Sequence, residues 1–246
     1  MKLKIMKYPQ VSPALCLLFV ICCNPLQAVQ NDTVDRPAAH PKYIFLFIGD
    51  GMAGAQIHAA EAYLGSIAEK EAVKDDIRVE TLTMSRFPVS GMQMSYAKNR
   101  FITGSAAAAT ALACGIKTDI NIIAMHPDTV TPCRTVAEMA KSKGMKVGIV
   151  SSVSLDHATP AAFYAHVPNR MQYREIAQRL IGSGFNYFAG GGFMATPDIE
   201  ENAFESGYIY VQSRAGFDSL EAGERNIIAV NPWLDRNSAM PYALNR

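Results

Sequence analysis

The feature that most constrains this sequence is an alternation. Short runs of apolar, aromatic and β-branched residues, each broken by glycine, take turns with stretches of helix formers. The run Tyr43-Ile-Phe-Leu-Phe-Ile48 is continuously apolar and predicts a central parallel strand buried on both faces. Gly49-Asp50-Gly51 breaks it, and Ala55 to Leu64 follows as a helix. Val89 to Tyr96 predicts a short strand. Ala106 to Ala113 predicts a close-packed helix stopped by Gly115, and Thr135 to Lys143 a second helix ending at Gly144. A strand within Lys146 to Ser152, a helix over Met171 to Leu180, and a strand over Phe185 to Ala189 closed by Gly190-Gly191-Gly192 continue the series. Tyr208 to Val211 and Asn226 to Val230 add two short strands. Such an order predicts an α/β fold with a mostly parallel central sheet and helices on both faces. Its functional residues should follow the carboxyl ends of strands.

Composition narrows the partners. With 246 residues, 49% hydrophobic and 18% charged, the chain can bury a sizeable core, and a formal charge of +1 gives no footprint for a polyphosphate backbone. We therefore expect no nucleic-acid partner. Residues 1–28 carry Lys2, Lys4 and Lys7, no acid, an apolar run from Ala14 to Cys23, and Leu26-Gln27-Ala28. This is the pattern of a signal peptide cut after Ala28, with the run too short for a stable membrane span. The expected product is exported, periplasmic or secreted. Lipid attachment at Cys22 or Cys23 is the alternative. Residues 29–41 read as a polar linker and 42–246 as the folded part. Beyond the leader only Cys114 and Cys133 remain, too few for a disulfide framework or a zinc ribbon, so a metal would need oxygen and nitrogen ligands.

Three segments after strands carry candidate chemistry. Gly49-Asp-Gly-Met-Ala-Gly54 fits a dinucleotide-binding pattern. However, Asp50 would oppose a pyrophosphate, and residues 69–76 do not form the second strand that pattern needs. Asp50 suits a cation better, and a plain helix cap is the other reading. Ser105, in Thr103-Gly-Ser-Ala-Ala-Ala-Ala-Thr110, stands at a helix N-terminus, where a nucleophile and an N-cap are both at home. The segment from Asp156-His157-Ala-Thr159 to Arg170 places an imidazole, a hydroxyl and a guanidinium after a strand. Arg170 offers a planar fork for two phosphate oxygens, and His157 and Thr159 offer nitrogen and oxygen to a metal.

Taken together, Phe47-Ile-Gly-Asp50-Gly-Met52, Gly104-Ser-Ala-Ala-Ala-Ala-Thr-Ala111 with Gly115-Ile-Lys-Thr118, and His157-Ala-Thr-Pro-Ala-Ala162 through Arg170 resemble the amino-terminal half of the alkaline phosphatases, in order and approximate spacing. The resemblance implies metal-dependent phosphomonoester hydrolysis with Zn2+ and Mg2+. It makes Ser105 the nucleophile that forms a phosphoserine, close to metal, and Asp50 a carboxylate bridging one zinc and the magnesium. Thr159 becomes a magnesium ligand, His157 a member of that site directly or through water, and Arg170 the clamp on the phosphate oxygens. Small phosphate esters and inorganic phosphate would be the ligands, and a homodimer the analogous assembly.

Two departures stand out. Gly104 occupies the position where well-known members carry an Asp that orients the Arg. There is also no His beyond Arg170, whereas a two-zinc, one-magnesium site takes roughly ten protein ligands. The expectation is an incomplete fold, truncated before the later ligands, carrying part of the site and inactive alone. The alternatives are a non-catalytic remnant that binds phosphate or a divalent cation weakly, a phosphodiesterase- or sulfatase-like hydrolase, and a dinucleotide enzyme.

Overall fold

A computed structural model describes residues 41–67, 79–194, 198–221, 223, 225–231 and 234. The expected leader, Cys22 and Cys23, and nearly all of the linker lie outside the described residues. The chain divides into two units, Met1–Ile48 and Gly49–Arg246.

In the first unit, the described residues 41–48 form no strand. Tyr43, Phe45 and Phe47 are 69%, 77% and 84% exposed. This corrects the expected central strand. A strand exists through its ladder, and these residues have no ladder partner among the described residues. Val89 to Tyr96 is corrected in the same way, because it forms no strand. It is instead held from outside by the Lys117 ammonium, which donates to the carbonyls of Met94 and Tyr96 at 2.5 and 2.8 Å and lies over the Tyr96 ring.

Among the described residues the second unit has four strands, β1 (Gly148–Val150), β2 (Tyr187–Gly190), β3 (Tyr208–Val211) and β4 (Asn226–Val230), in the order β1-β2-β4-β3. Every pairing is parallel, with Ile149 opposite Phe188, Phe188 opposite Ile228 and Ile228 opposite Tyr210. The α/β class with a parallel sheet is therefore observed. The helices are α1 (Gly54–Ile67), α2 (Ser105–Cys114), α3 (Val136–Ser142), α4 (Ala158–Ala161), α5 (Tyr173–Gly182), α6 (Ile199–Glu205) and α7 (Arg214–Asp218). The core gathers on the sheet. Phe188 meets Tyr164 edge-on and stacks with Phe185 at ring-centre distances of 5.4 and 6.1 Å, and α5 turns Ile176, Ala177 and Leu180 inward. Fully burying side chains of this size is worth about 1.5–3 kcal/mol each.

Local chemistry sets the helix ends. Gly115 takes φ 72°, a left-handed conformation that costs glycine little, and its N–H closes α2 on the Ala111 carbonyl. Thr135 and Glu138 cap α3 reciprocally, and the buried Thr135 hydroxyl also donates to the Phe163 carbonyl at 2.8 Å. Cys114, the last residue of α2, is disulfide-bonded to Cys133, just ahead of α3. The bond staples two neighbouring helices, while most of the fold rests on the core, as the cysteine count predicts.

Candidate phosphate and metal site

The site is built on the loop that leaves β1. Beyond Val150, the chain crosses the end of β2 so closely that a Cβ on Gly190 would lie 2.9 Å from the Val153 carbonyl oxygen. Only a residue without a side chain fits there without displacing the backbone. The contact is locked by Ser151 N–H donating to Ala189 O, Gly191 N–H to Val153 O, and Leu155 N–H to Gly192 O at 2.9, 2.9 and 2.7 Å. Asp156 follows, wholly buried, its Oδ2 accepting from the Met194 N–H at 2.8 Å. Burial, reinforced by the Asp156 carboxylate, raises the Tyr164 phenol well above its ordinary range, so Tyr164 stays protonated and donates to the Leu155 carbonyl at 2.5 Å. This anchoring fixes the start of α4, which His157 caps and which carries Thr159.

From there one hydrogen-bonded chain links three segments distant in sequence. The Thr159 hydroxyl donates to Asp50 Oδ2 at 3.0 Å, across 109 positions. Asp50 sits in a tight turn, closed by Met52 N–H on Gly49 O and by Gly51 at φ 69°. His157 precedes Thr159 and meets the Arg170 guanidinium, Nε2 to Nη2, at 3.0 Å. Arg170 is placed by its own backbone N–H, which donates to the Asn121 carbonyl at 2.8 Å.

His157 meets a donor at each of its ring nitrogens. Its Nδ1 lies 3.5 Å from the Thr159 N–H and its Nε2 3.0 Å from Arg170, and both neighbours are donors. A neutral imidazole has one bare nitrogen. Arginine can only donate, and the shorter contact lies within good hydrogen-bond range, whereas 3.5 Å is at its limit. The capping contact has Nδ1 accepting from the Thr159 N–H, so the two contacts compete for the ring's one lone pair. Burial first, then the Arg170 guanidinium, hold the imidazole below its ordinary pKa against the opposing pull of Asp50.

Ser105 stands apart from this chain of bonds. It is the first residue of α2, and Gly104 is the N-cap, with extended φ −131° and ψ 167°. A simple capping role for Ser105 is thereby removed. Its helix packs against α4, the element that carries Thr159.

The donors fit a hard cation in part. Two oxygens 3.0 Å apart, one of them a carboxylate, match the edge of an octahedron with metal–oxygen bonds of about 2.1 Å. Magnesium commonly takes few protein ligands and keeps several waters. Among the described residues no group of three or more His, Cys, Asp or Glu is placed to hold a metal ion.

A family model for the alkaline phosphatases matches residues 41–187. The chain belongs to the alkaline phosphatase family. The repressible alkaline phosphatase of Saccharomyces cerevisiae is 29% identical over 96% of this chain and 45% of its own length, and alkaline phosphatase 3 of Bacillus subtilis is 34% identical over 70% and 38%. The cold-active alkaline phosphatase of a psychrophilic Shewanella has a similar structure, at TM-score 0.67 and 28% identity, over 81% of this chain and 47% of that one. A variant of the enzyme from the Antarctic bacterium TAB5, determined with magnesium bound, superposes at TM-score 0.58 and 26% identity over 74% and 51%. The chain spans less than half the length of these curated relatives. All the candidate residues lie inside the alkaline phosphatase match.

Sequence reasoning missed the supports of the site. The Gly190–Val153 approach and the bond from the Met194 N–H to the buried Asp156 are both non-local. Only the Gly-Gly-Gly run signalled a place where backbones meet.

Proposed function

We propose that this chain supplies the nucleophile and the anion clamp of a metal-dependent phosphomonoesterase. The observation that carries the reading is the Asp50–Thr159 and His157–Arg170 pairing beside the helix that begins at Ser105. Arg170 would hold two oxygens of a phosphate ester with its fork. Ser105 Oγ would attack phosphorus as the ester oxygen departs, giving a phosphoserine that water hydrolyses to serine and inorganic phosphate. The backbone N–H groups at the start of α2 face the same way as the helix dipole's positive end and favour that anion. Asp50 and Thr159 would hold magnesium. The family resemblance adds zinc, and bound metal would supply charge neutralisation and a lowered pKa for a hydroxyl or water. The described residues hold too few ligands for that full set, and we infer that the chain alone turns over slowly or not at all. We also propose that the chain is exported; the Cys114–Cys133 bond favours this, since disulfides persist in oxidising compartments. No described helix is long and apolar enough to cross a membrane.

The test is to incubate the full chain with an aryl phosphate, magnesium and zinc, and to map phosphorylation by mass spectrometry. We expect phosphate on the Ser105 peptide, absent in Ser105→Ala and reduced at least tenfold in Arg170→Ala. Label elsewhere, or undiminished label in Ser105→Ala, would overturn the assignment.

A further inference from the structure

We propose that His166 is a positioning residue of the phosphate site: clasped to Glu138, it fixes residues 121–124, the strap through which Arg170 is held to α2. This deepens the phosphate-ester reading and rests on it, because it states what sets the anion clamp against the helix that begins at Ser105. The strap is bonded on both sides. Toward Arg170, the Ile123 N–H donates to Val167 O and the Val167 N–H to Ile123 O at 3.0 and 3.1 Å, and the Arg170 N–H donates to Asn121 O at 2.8 Å. Toward α2, the buried Thr110 hydroxyl accepts from the Ala124 N–H at 2.9 Å and donates to the Ile122 carbonyl at 3.3 Å. The strap is also strained, with φ of 71° at Asn121 and 44° at Ala124. Left-handed backbone is unfavourable for a residue with a Cβ, and it persists only where its surroundings hold it.

His166 supplies that hold. Its ring faces an acceptor at each nitrogen, the Ala124 carbonyl at Nδ1 and Glu138 Oε1 at Nε2, both at 2.8 Å. A carbonyl can only accept, so Nδ1–H donates to the strained residue, and one proton bridges Nε2 and Oε1 whichever atom holds it. The ring is thus the opposite of His157, which meets two donors. Glu138 is itself fixed: Oε2 accepts from the Thr135 N–H at 2.8 Å, and its own N–H donates to the Thr135 hydroxyl at 3.1 Å in the cap of α3. The clasp therefore ties Ala124 to the start of α3. Among the described residues the ring's partners are Ala124 and Glu138, so it acts on the phosphate site through the strap and not by touching it.

Three substitutions test this role. His166→Leu removes both ring contacts, and Glu138→Ala removes the clasp from the other side. Glu138→Gln keeps every bond in neutral form, its amide oxygen taking the Thr135 N–H, its amide N–H donating to Nε2, and Nδ1–H still donating to Ala124. The first readout is hydrogen exchange at the Arg170 backbone N–H, by NMR of the full chain without phosphate, with the signal identified by arginine-selective nitrogen-15 labelling and its loss in Arg170→Lys. We expect protection in the wild type and in Glu138→Gln, and fast exchange in His166→Leu and Glu138→Ala. The second readout is calorimetric affinity for inorganic phosphate in EDTA, expected to weaken about fivefold or more in His166→Leu and Glu138→Ala, as for one lost hydrogen bond, and to stay within about twofold in Glu138→Gln. Ala203→Gly, in the core side of α6, is the control for general destabilisation and should keep its phosphate affinity. If His166→Leu does not fold, Glu138→Ala against Glu138→Gln decides. An Arg170 N–H as protected in Glu138→Ala as in the wild type, a Glu138→Gln chain as impaired as Glu138→Ala, or an equal loss of phosphate affinity in Ala203→Gly would overturn the proposal. Failure of the wild type to bind phosphate would overturn the phosphate-ester reading instead, and exchange at Arg170 would still decide whether His166 holds the strap.

Discussion

Residues 41–103 and residues 104–193 answer the same apolar demand in opposite ways. In the first stretch the only buried described residues are Glu61, Gly65 and Ala97, while Phe45, Phe47, Val89, Met92 and Phe101 lie largely in solvent. In the second, α2 is buried along Ala106, Ala107, Ala109 and Ala113, although its sequence has almost no amphipathic stripe. The difference teaches that an apolar run states a need for partners and does not supply them. A helix closes its own backbone hydrogen bonds, and alanines let α4 approach, so α2 needs only one neighbour. A strand such as Tyr43–Ile48 needs a ladder as well as covered faces. Even α1 is tied down through a polar residue: Glu61 Oε1 accepts from the Leu82 N–H and the Ser85 hydroxyl at 3.1 and 2.6 Å. Those bonds, the hydroxyl's first, hold its carboxyl below the usual range.

The largest effect that sharpens this contrast comes from paired truncations. Phe188→Ala, at a fully buried position, should cost about 3–5 kcal/mol, whereas Phe47→Ala should change stability by less than about 0.5 kcal/mol. Urea denaturation of both variants checks it. Equal losses would show that the Tyr43–Ile48 run is buried in solution and would break the comparison.

A smaller effect tests how the second stretch positions its site. Gly190→Ala places a Cβ against the Val153 carbonyl and should cost about 1–3 kcal/mol. The loop should move with it, lowering phosphate affinity more than a distant variant of equal stability does. A Gly190→Ala protein with unchanged stability and unchanged phosphate binding would mean that the β1 loop is not held by this close approach.

What was legible in the sequence follows the same division. Signals that act over a few residues were readable: the Gly115 stop, the Thr135 start, and the strands Tyr208–Val211 and Asn226–Val230, observed with the expected bounds. The charged and glycine-containing helices α6 and α7 were not foreseen, because neither shows a clear apolar period and α7 holds Gly216. The candidate residues were nameable as types, although only the segment from His157 to Arg170 follows an observed strand, β1. Their connection was not, since the Asp50–Thr159 bond spans 109 positions and depends on a backbone crossing at Gly190. Nor could sequence tell that the His157 ring faces Arg170, a matter of rotamer and packing.

The most direct measurement of the central claim, that these segments converge on a phosphate site, is thermal unfolding of the full chain with and without inorganic phosphate and magnesium. Binding to the folded state alone stabilises by about 2.7 kcal/mol at a ligand concentration one hundred times its Kd. The predicted result is a cooperative transition that rises with phosphate, rises further with magnesium, and loses the phosphate response in Arg170→Ala. A transition indifferent to phosphate, or one that responds equally in Arg170→Ala, would contradict it.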